Sequence, residues 1–338
     1  MSSFADALRS AFGADRVLSR VRLAPFTTFR VGGPAEWFIE TRTSGEIVTA
    51  LRLAYAAGVK VTMLGGGSNV LISDAGVRGL VIRTRGGVVT TVGEDGVRAD
   101  AALSINGLVR WTVHRGYAGL EAWAGTPGTV GGAIFGNAHF GSRLIGDQVT
   151  GVRLASLEGA ILDVPSTAMA FGYDRSRLQR TGEVVLSAVF RVSRGEPATL
   201  RGTARESLAF RKRTQPLDTH NAGCVFQNPE PSRDRVPDGV PWAAGALVDR
   251  AGLKGERLGG ARVSSVHANF IVNEGTATAR DIQRLIVLCR ASVRARFGVD
   301  LREEIVYVGE FEPSESEIGL EPDRWRPKGA VTEDTEGN

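Results

Sequence analysis

The sequence predicts a mixed α and β fold that is divided into two domains. The chain has 338 residues, and a single domain usually takes roughly 100–200. Between residues 22 and 100, short apolar segments alternate with glycines, a pattern that is typical of strands joined by tight turns. Residues 278–297 instead place their apolar side chains on one helical stripe. A hydrophobic content of 42% and a charged content of 23% are ordinary for a folded protein.

The first half of the chain begins with a predicted amphipathic helix, because Phe4, Leu8 and Phe12 recur every four residues. Strands are predicted at 36–40, 59–64, 69–73 and 79–83. A helix is expected over 104–116, with Ser104 as its N-cap. Residues 123–141 are rich in glycine and follow neither the helical nor the strand period.

The second half combines strands with longer helices. Strands are predicted at 149–164, 184–192 and 301–309, and helices at 198–213, 241–251 and 278–297. Thr278 and Asp281 resemble a capping pair at the start of the last helix. Cys289 falls on the apolar stripe of that helix, which indicates a core residue. Residues 311–338 are rich in Glu, Pro, Asp and Gly, so we expect a disordered tail there.

Charge and cysteine content narrow the range of partners. The formal net charge is +4, and most basic residues are arginine, since lysine occurs only at 60, 212, 254 and 328. Arginine binds carboxylate and phosphate bidentately, which favours an anionic small molecule; the alternative is solvated surface charge. No basic run is interleaved with aromatic residues, so nucleic acid is not expected. Two cysteines favour a reducing cytoplasm, and neither a signal peptide nor a membrane-spanning stretch is expected.

Several common catalytic motifs are absent from the sequence. It contains no G-x-G-x-x-G and no G-K-[ST], so neither a Rossmann dinucleotide site nor a P-loop is indicated. It also lacks H-E-x-x-H, C-x-x-C and G-x-S-x-G, and its four histidines are scattered. Neither a metal site nor serine hydrolase chemistry is therefore expected.

Two glycine-rich segments are the best candidates for ligand binding. LGGGSNVLIS at 64–73 passes from an apolar strand through three glycines into another strand. Glycines let the backbone approach a ligand closely and expose successive N–H groups that bind anions; the alternative is a tight turn. GTPGTVGGAIFGNA at 125–138 combines glycines with threonines, a composition that would let a pyrophosphate lie along the backbone. The alternative is irregular structure without a ligand. Neither segment alone identifies a cofactor.

Further long motifs accompany these two segments in a fixed order. They are FTTFRVGGPAEWF (26–38), NAGCVFQNP (221–229), LVDRAGLKGERLGGARVS (247–264), HANFIVN (267–273) and LREEI (301–305). With these motifs, the chain resembles the UDP-N-acetylenolpyruvoylglucosamine reductase family from about residue 20 to about residue 310. It resembles the shorter type, which lacks an extra tyrosine-bearing loop.

The resemblance implies an α+β fold with a FAD-binding domain of the vanillyl-alcohol oxidase (PCMH) type, followed by a smaller α/β substrate-binding domain. The implied division is an N-terminal helix at 1–20, the FAD-binding domain at 21–195, the substrate-binding domain at 196–310 and the tail at 311–338. The implied activity is reduction of a UDP-sugar, UDP-N-acetylenolpyruvoylglucosamine, to UDP-N-acetylmuramate, with FAD as cofactor and NADPH as co-substrate. We expect a cytoplasmic monomer that serves peptidoglycan synthesis, and thereby cell shape and division.

The resemblance also implies catalytic residues. In the family, hydride addition to the enolpyruvyl double bond leaves a carbanion beside the carboxylate, and a serine of an N-A-G-S motif protonates it. Cys224 occupies that position here. A thiol, with a reference pKa of ~8.5, donates a proton more readily than an alcohol, provided that the site does not lower this pKa; the alternative is a small buried residue. Glu304 matches the family glutamate, which would bind the substrate carboxylate in its protonated form, whereas Glu303 points to the opposite face of a strand.

The third catalytic group is an arginine that follows a tyrosine in the family pattern Y-R-x-S. This chain reads Tyr173-Asp174-Arg175-Ser176. Because an enolate needs a nearby cation, we predict that Arg175 fills this role, with Arg177 as the alternative. Replacement of Arg175 is then expected to reduce activity, whereas replacement of Asp174 is tolerated.

The remaining implied residues bind cofactor and substrate. FAD contacts are expected from Gly65, Gly66, Gly67, Ser68, Asn69, Gly125, Thr126, Pro127, Gly128, Thr129 and Gly132. Arg211 is expected to meet the diphosphate of the UDP group, unless it is helix-surface charge, and Asn228 is expected to bind substrate. The family motif N-A-G-A-Y-G reads NAHFG at 137–141, which leaves local flavin contacts open.

Two other functions are compatible with parts of the sequence. A flavin oxidase or dehydrogenase acting on another substrate would not need the NAG[SC] motif or Glu304. A flavin- or nucleotide-binding module without turnover would agree with the displaced arginine at 174–175.

Overall fold

The computed structural model describes residues 3–311, and its first part is a four-stranded sheet with two helices on one face. The elements up to residue 84 are α1 (Phe4–Phe12), β1 (Leu18–Arg22), β2 (Pro34–Thr41), α2 (Ser44–Ala56), β3 (Val61–Leu64), β4 (Val70–Ile72) and β5 (Val77–Thr84). The strand order is β1-β2-β5-β3, with β1 antiparallel to β2 and β5 parallel to both neighbours. Leu8 of α1 and Leu51 of α2 are buried with Leu80 and Ile82 of β5, as the apolar spacing of α1 predicts.

A second, five-stranded sheet follows. Its region contains β6 (Val89–Val92), β7 (Gly96–Asp100), α3 (Ile105–His114), β8 (Tyr117–Ala118), α4 (Val130–Phe135), β9 (His139–Phe140), β10 (Arg143–Leu144), β11 (Val149–Ala155), β12 (Ile161–Pro165), α5 (Leu178–Thr181), β13 (Val184–Arg191) and β14 (Ser193–Arg194). The sheet order is β12-β11-β13-β7-β6, antiparallel throughout. Leu108 of α3 and Ile134 of α4 share its core with Phe190. Ser104 caps α3 as predicted, since its hydroxyl accepts a hydrogen bond from the Gly107 N–H.

The last part of the chain is built from helices and a small sheet. Its elements are α6 (Pro197–Thr214), α7 (Ala244–Arg250), β15 (Arg257–Leu258), β16 (Ala261–Val263), β17 (Ile271–Asn273), α8 (Ala279–Phe297) and β18 (Val306–Val308). α7, α8 and the antiparallel sheet β15-β16-β17 share one core, which contains Leu247, Val263 and Cys289. Thr278 and Asp281 form the predicted capping box of α8. Strand β18 pairs in parallel with β4, so the chain returns to its first part.

The predicted strand at 301–309 is wrong in its extent, because only Val306–Val308 forms a strand. The backbone changes partners just before this point. The Glu304 N–H donates to the Val225 carbonyl at 2.7 Å, and the Val306 N–H donates to the Asn69 carbonyl at 3.0 Å. A segment that passes from one partner to another within two residues cannot form a continuous ladder.

The predicted domain boundary at 195 stays a prediction. Helix α6, which begins directly after it, packs Leu200 into the core of the five-stranded sheet. The predicted tail at 311–338 lies outside the described residues apart from Phe311. Within residues 3–311, no helix combines the length and apolar character needed to cross a membrane.

Candidate active site

A cavity of about 320 Å³ brings together residues from distant parts of the chain; we call it the central cavity. Cys224 and Glu304, which the family resemblance implied as catalytic, both line it, and so does Asn228. Its other lining residues are His139, Tyr173, Phe226, Ala243, Gly245, Ala246, Asp249, Lys254, Val266, His267, Ala268 and Asn269.

Cys224 is held in a loop whose backbone is anchored on both sides. Gly223 has φ +81°, a conformation that favours glycine, and its N–H donates to Asn221 Oδ1 at 3.0 Å. On the other side, Asn269 Oδ1 accepts from the Phe226 N–H at 2.9 Å, and Asn269 Nδ2 donates to the Phe226 carbonyl at 2.8 Å. These contacts explain why a glycine precedes the cysteine and an asparagine faces it.

The environment of the Cys224 thiol keeps it protonated. Burial raises its pKa above that of an ordinary thiol, and the charge of Asp174, with that of Glu304 where it is ionised, raises this pKa further. A hydrogen bond with Asn269 and the charge of Arg211 act in the opposite direction, but the net shift is upward. The condition that the site must not lower the thiol pKa is therefore met.

Glu304 and Glu303 point in opposite directions, as predicted. Glu303 forms an ion pair with Arg290 at 3.2 Å, while Glu304 faces the central cavity. Burial raises the pKa of Glu304 and the charge of Asp174 raises it further, whereas His139 acts in the opposite direction. The net effect favours the neutral carboxylic acid near neutral pH.

The structure does not bring Arg175 to the central cavity. Gly172 and Arg175 pair across a tight turn, in which the Gly172 N–H donates to the Arg175 carbonyl at 3.0 Å. Tyr173 and Asp174 form the tip of this turn, and Asp174 has φ +52°, which aspartate tolerates better than most residues. Tyr173 lines the cavity, but Arg175 is exposed and its side chain lies over Gly172.

The alternative cation, Arg177, is also engaged away from the cavity. Its guanidinium binds the carboxylate of Glu183 through two nitrogens, with Nε 2.8 Å from Oε2. It also donates to the Ala168 carbonyl at 3.4 Å. Neither arginine considered from the sequence therefore lines the central cavity.

Asp174 instead binds a histidine that the sequence analysis did not select. His139 Nδ1 lies 3.0 Å from Asp174 Oδ1, and nitrogen and oxygen atoms of His139, Asp174 and Glu304 all lie within 4.8 Å of one another. Both positions were visible as departures from family patterns, in NAHFG and in Tyr173-Asp174-Arg175. Their pairing was not visible, because 35 residues separate them in the sequence.

Arg211 is a buried cation rather than helix-surface charge, because only 6% of it is exposed. Its Nη2 donates to Thr126 Oγ1 at 2.8 Å, and its guanidinium lies 4.1 Å from the centroid of the Phe140 ring. Burial lowers its pKa to about 10, so it remains charged at neutral pH. Arg211 thus connects α6 to the second glycine-rich segment.

Asn228 and Asn69 serve as anchors through their side chains. Asn228 Oδ1 accepts a hydrogen bond from the Ala244 N–H at 3.0 Å, which ties the Cys224 loop to α7. Asn69 Nδ2 donates to the Glu304 carbonyl at 3.1 Å. The side chain of Asn69, predicted to contact the cofactor, therefore links the first glycine-rich segment to Glu304.

The two glycine-rich segments meet; we call residues 65–69 and 125–129 together the glycine cradle. A Cβ on Gly66 would lie 2.8 Å from Gly128 Cα, and a Cβ on Gly128 would lie 2.7 Å from Ser68 Oγ. Real Cβ contacts essentially never come so close, so side chains at these positions would push the segments apart. Asn106, which the sequence analysis did not select, fixes the second segment by accepting from the Gly125 N–H at 2.7 Å.

The cradle contains the predicted cofactor residues Gly65, Gly66, Gly67, Ser68, Asn69, Gly125, Thr126, Pro127, Gly128 and Thr129, and Gly132 follows in α4. The Gly132 N–H donates to Thr129 Oγ1 at 3.3 Å. Two closely packed backbones without side chains leave N–H groups available to an anionic ligand. The residues present therefore fit a flavin dinucleotide.

Comparison with known families gives two matches. The family model described as "FAD binding domain" matches residues 35–165, and the model described as "UDP-N-acetylenolpyruvoylglucosamine reductase, C-terminal domain" matches residues 215–308. Together with the two sheets and their helices, these matches confirm the predicted α+β fold with a FAD-binding domain.

Individual relatives agree with these matches. UDP-N-acetylenolpyruvoylglucosamine reductase of Synechococcus sp. is 40% identical over 88% of this chain and 93% of its own length. The reductase of Gloeobacter violaceus is 39% identical over 87% of this chain and 97% of its own length. The crystal structure of UDP-N-acetylenolpyruvylglucosamine reductase from Thermus caldophilus is similar with a TM-score of 0.72 and 32% identity, covering 87% of this chain and 99% of that one.

Proposed function

The chain belongs to the UDP-N-acetylenolpyruvoylglucosamine reductase family, and on this premise we propose that it reduces UDP-N-acetylenolpyruvoylglucosamine to UDP-N-acetylmuramate with NADPH. The observation that carries the proposal is that the Cys224 thiol and the Glu304 carboxyl line one cavity. The proposal includes a FAD-binding domain at 21–195 and a substrate-binding domain at 196–310. It also includes a cytoplasmic monomer that makes a peptidoglycan precursor and so supports cell shape and division.

The glycine cradle is the proposed holder of FAD. FAD supplies the hydride carrier between NADPH and the enolpyruvyl double bond. The close approach of Gly66 to Gly128 supports this assignment, because a pyrophosphate needs backbone N–H groups that no side chain covers. Arg211, bound to Thr126, adds a fixed positive charge next to the cradle.

Cys224 is the proposed proton donor. Hydride addition to one carbon of the double bond leaves an electron pair on the carbon beside the carboxylate, and the Cys224 S–H bond breaks to give that carbon a proton. The thiolate that remains is restored by a proton from solvent, so the thiol is not consumed. The raised pKa of Cys224 supports this role, because the proton is still present when the electron pair develops.

Glu304 and Asn228 are the proposed contacts for the substrate. A neutral Glu304 can donate its O–H to the substrate carboxylate, and this hydrogen bond strengthens as negative charge develops there. Asn228 lines the same cavity, and Arg211 is proposed to attract the anionic UDP-sugar. Exclusion of water by Phe226, which is fully buried beside Cys224, strengthens these interactions.

The experiment mixes the purified, FAD-loaded protein with NADPH in the presence and absence of UDP-N-acetylenolpyruvoylglucosamine. We expect NADPH to be consumed stoichiometrically with the sugar, and UDP-N-acetylmuramate to form. Oxidation that is indifferent to the sugar would instead indicate a flavin oxidase or dehydrogenase with another substrate. A yellow protein that never turns over would indicate a binding module.

A further inference from the structure

The central cavity lacks an arginine where the family pattern Y-R-x-S has one. Asp174 occupies the position, and Arg175 and Arg177 point elsewhere. The cavity does include Lys254, but that side chain pairs with Asp249 at 3.1 Å. Negative charge developing on the substrate still requires a partner of opposite charge. Arg211 does not line the cavity, and its guanidinium binds Thr126, so a different residue of the lining has to supply it.

His139 is the group that the geometry offers beside Glu304. Its ring lines the cavity, and its Nδ1 is 3.0 Å from Asp174 Oδ1. Tyr173 packs on the ring, with centroids 4.9 Å apart. The Asp174 side chain is only 7% exposed, and among the described residues nothing forms a hydrogen bond with its Oδ2. A buried carboxylate with a free oxygen favours a charged partner over a neutral one.

We propose that His139, oriented by Asp174, is the catalytic cation of this site, and that its free nitrogen stabilises the charge developing on the substrate carboxylate beside Glu304. This inference rests on the proposed function. His139 is then a catalytic residue, because it touches the substrate, and Asp174 is a positioning residue that acts through it. The two residues together replace the single arginine of the family pattern.

The electrostatic surroundings support a charged imidazole. The hydrogen bond to Asp174 raises the pKa of His139 by more than burial lowers it, and the charge of Asp174 raises this pKa further. Glu304 acts in the same direction only where it is ionised. Arg211 lowers it. Tyr173 and Cys224, which also face this space, have raised pKa values and are uncharged near neutral pH. The imidazolium is thus present below the raised pKa and is lost as the pH rises through it.

The test separates the two halves of the reaction by anaerobic stopped-flow spectroscopy of the FAD-loaded enzyme. In His139→Gln, we expect NADPH to reduce the flavin at the wild-type rate. Reoxidation by UDP-N-acetylenolpyruvoylglucosamine should slow by about 100-fold, the typical loss when one stabilising group at a developing charge is removed. The matched control is His114→Gln, which changes an exposed histidine of α3 and should alter neither rate.

A second measurement reads the charge of His139 directly. In ¹⁵N-histidine NMR of the wild type, the signal that disappears in His139→Gln belongs to this residue, one of four histidines. Its pKa should lie above that of an ordinary histidine and fall in Asp174→Asn. The high-pH decline of the reoxidation rate should move to lower pH in the same variant. A His139 that is neutral throughout the pH range of activity would overturn the inference.

A rescue experiment distinguishes a charge from a structural role. Asp174→Arg in the His139→Gln background restores the family order of tyrosine and arginine. We expect the double variant to be reoxidised by the sugar about tenfold faster than His139→Gln alone. Absence of sugar-dependent reoxidation in the wild type would reject the proposed function itself. A wild type that turns over, with His139→Gln reoxidised just as fast, would reject only the inference. Wild-type activity that EDTA abolishes and a divalent cation restores would also reject it.

Discussion

The glycine cradle and the central cavity achieve their chemistry by opposite means. In the cradle, Gly66 and Gly128 matter because they lack side chains and let two backbone segments touch. In the cavity, Cys224, Glu304 and His139 bring titratable side chains together, and Glu304 and His139 shift each other's pKa values. The cradle is thus specified by short consecutive segments, whereas the cavity is specified by groups that meet only after folding.

This difference affects how freely each region can change its residues. A glycine at a close backbone contact has no substitute, because any Cβ adds volume where there is none. A positive charge in a cavity can come from any residue whose side chain reaches the same place. The proposed exchange of an arginine position for Asp174 and His139 would be an example of this freedom, and the following predictions test it.

The largest effect is expected at the proton donor. Cys224→Ala should slow reoxidation of the reduced flavin by the sugar about 1000-fold, within the range for loss of a general acid, while reduction by NADPH is unaffected. Cys224→Ser, which keeps a hydrogen donor at the same atom, should retain much of the rate. Stopped-flow traces of both half-reactions give the answer, and normal turnover of the alanine variant would show that Cys224 is not the acid.

The next effect separates the structure from the sequence-based prediction. Asp174→Ala should lower kcat/KM for the sugar by about 100-fold, because His139 loses both its orientation and its charge. Arg175→Ala should lower kcat/KM for the sugar by about tenfold at most, because Arg175 is exposed and its side chain lies over Gly172. Steady-state kinetics at one pH compare the two variants. The opposite ranking would show that the turn at 172–175 rearranges when substrate binds.

A smaller effect is expected in the cradle. Gly66→Ala places a Cβ 2.8 Å from Gly128 Cα. The backbone shift needed to accommodate this Cβ costs about 1–3 kcal/mol of free energy. We therefore expect FAD to bind about ten- to 100-fold more weakly, measured by the quenching of flavin fluorescence. The matched control is Gly202→Ala in α6, where an added Cβ meets nothing within 4 Å. Equal FAD affinity in both variants would contradict the proposal that the glycine cradle holds FAD.

The smallest effect tests the connection between the two regions. Asn69→Ala removes the hydrogen bond from Nδ2 to the Glu304 carbonyl, which should lower the free energy of unfolding by about 1 kcal/mol. Urea unfolding of the FAD-loaded protein measures this change. If the free energy of unfolding is unchanged and only FAD affinity falls, then Asn69 contributes to FAD binding and its hydrogen bond to Glu304 does not stabilise the fold.

Much of the fold was predictable from local patterns. The apolar stripe of α8, its Thr278–Asp281 cap and the core position of Cys289 follow from periodicity, and the structure confirms all three. The strand predicted at 301–309 was too long, because apolar alternation does not reveal that the backbone changes partners at Glu304. Local patterns describe a segment's preferences, whereas strand pairing is a relation between segments.

The two cysteines show where resemblance succeeded in the site and where it stopped. Cys224 and Cys289 are chemically identical, and the motif around Cys224 assigned it a role that its place in the central cavity supports. The same reasoning selected Arg175 by its nearness in sequence to the family arginine. It did not reveal that His139 contacts Asp174 in the cavity, because a motif compares positions one at a time and does not show which side chains meet.

By itself, the sequence determined the family and the two glycine-rich segments, and it selected Cys224 as the candidate proton donor, because each of these lies in a run of consecutive residues. Only the tertiary structure decided that Asp174 turns inward while Arg175 turns outward, and that Asp174 meets His139. The physical reason is that charge stabilisation depends on distance through space. Atoms 3.0 Å apart in the fold belong to residues that the chain keeps far apart.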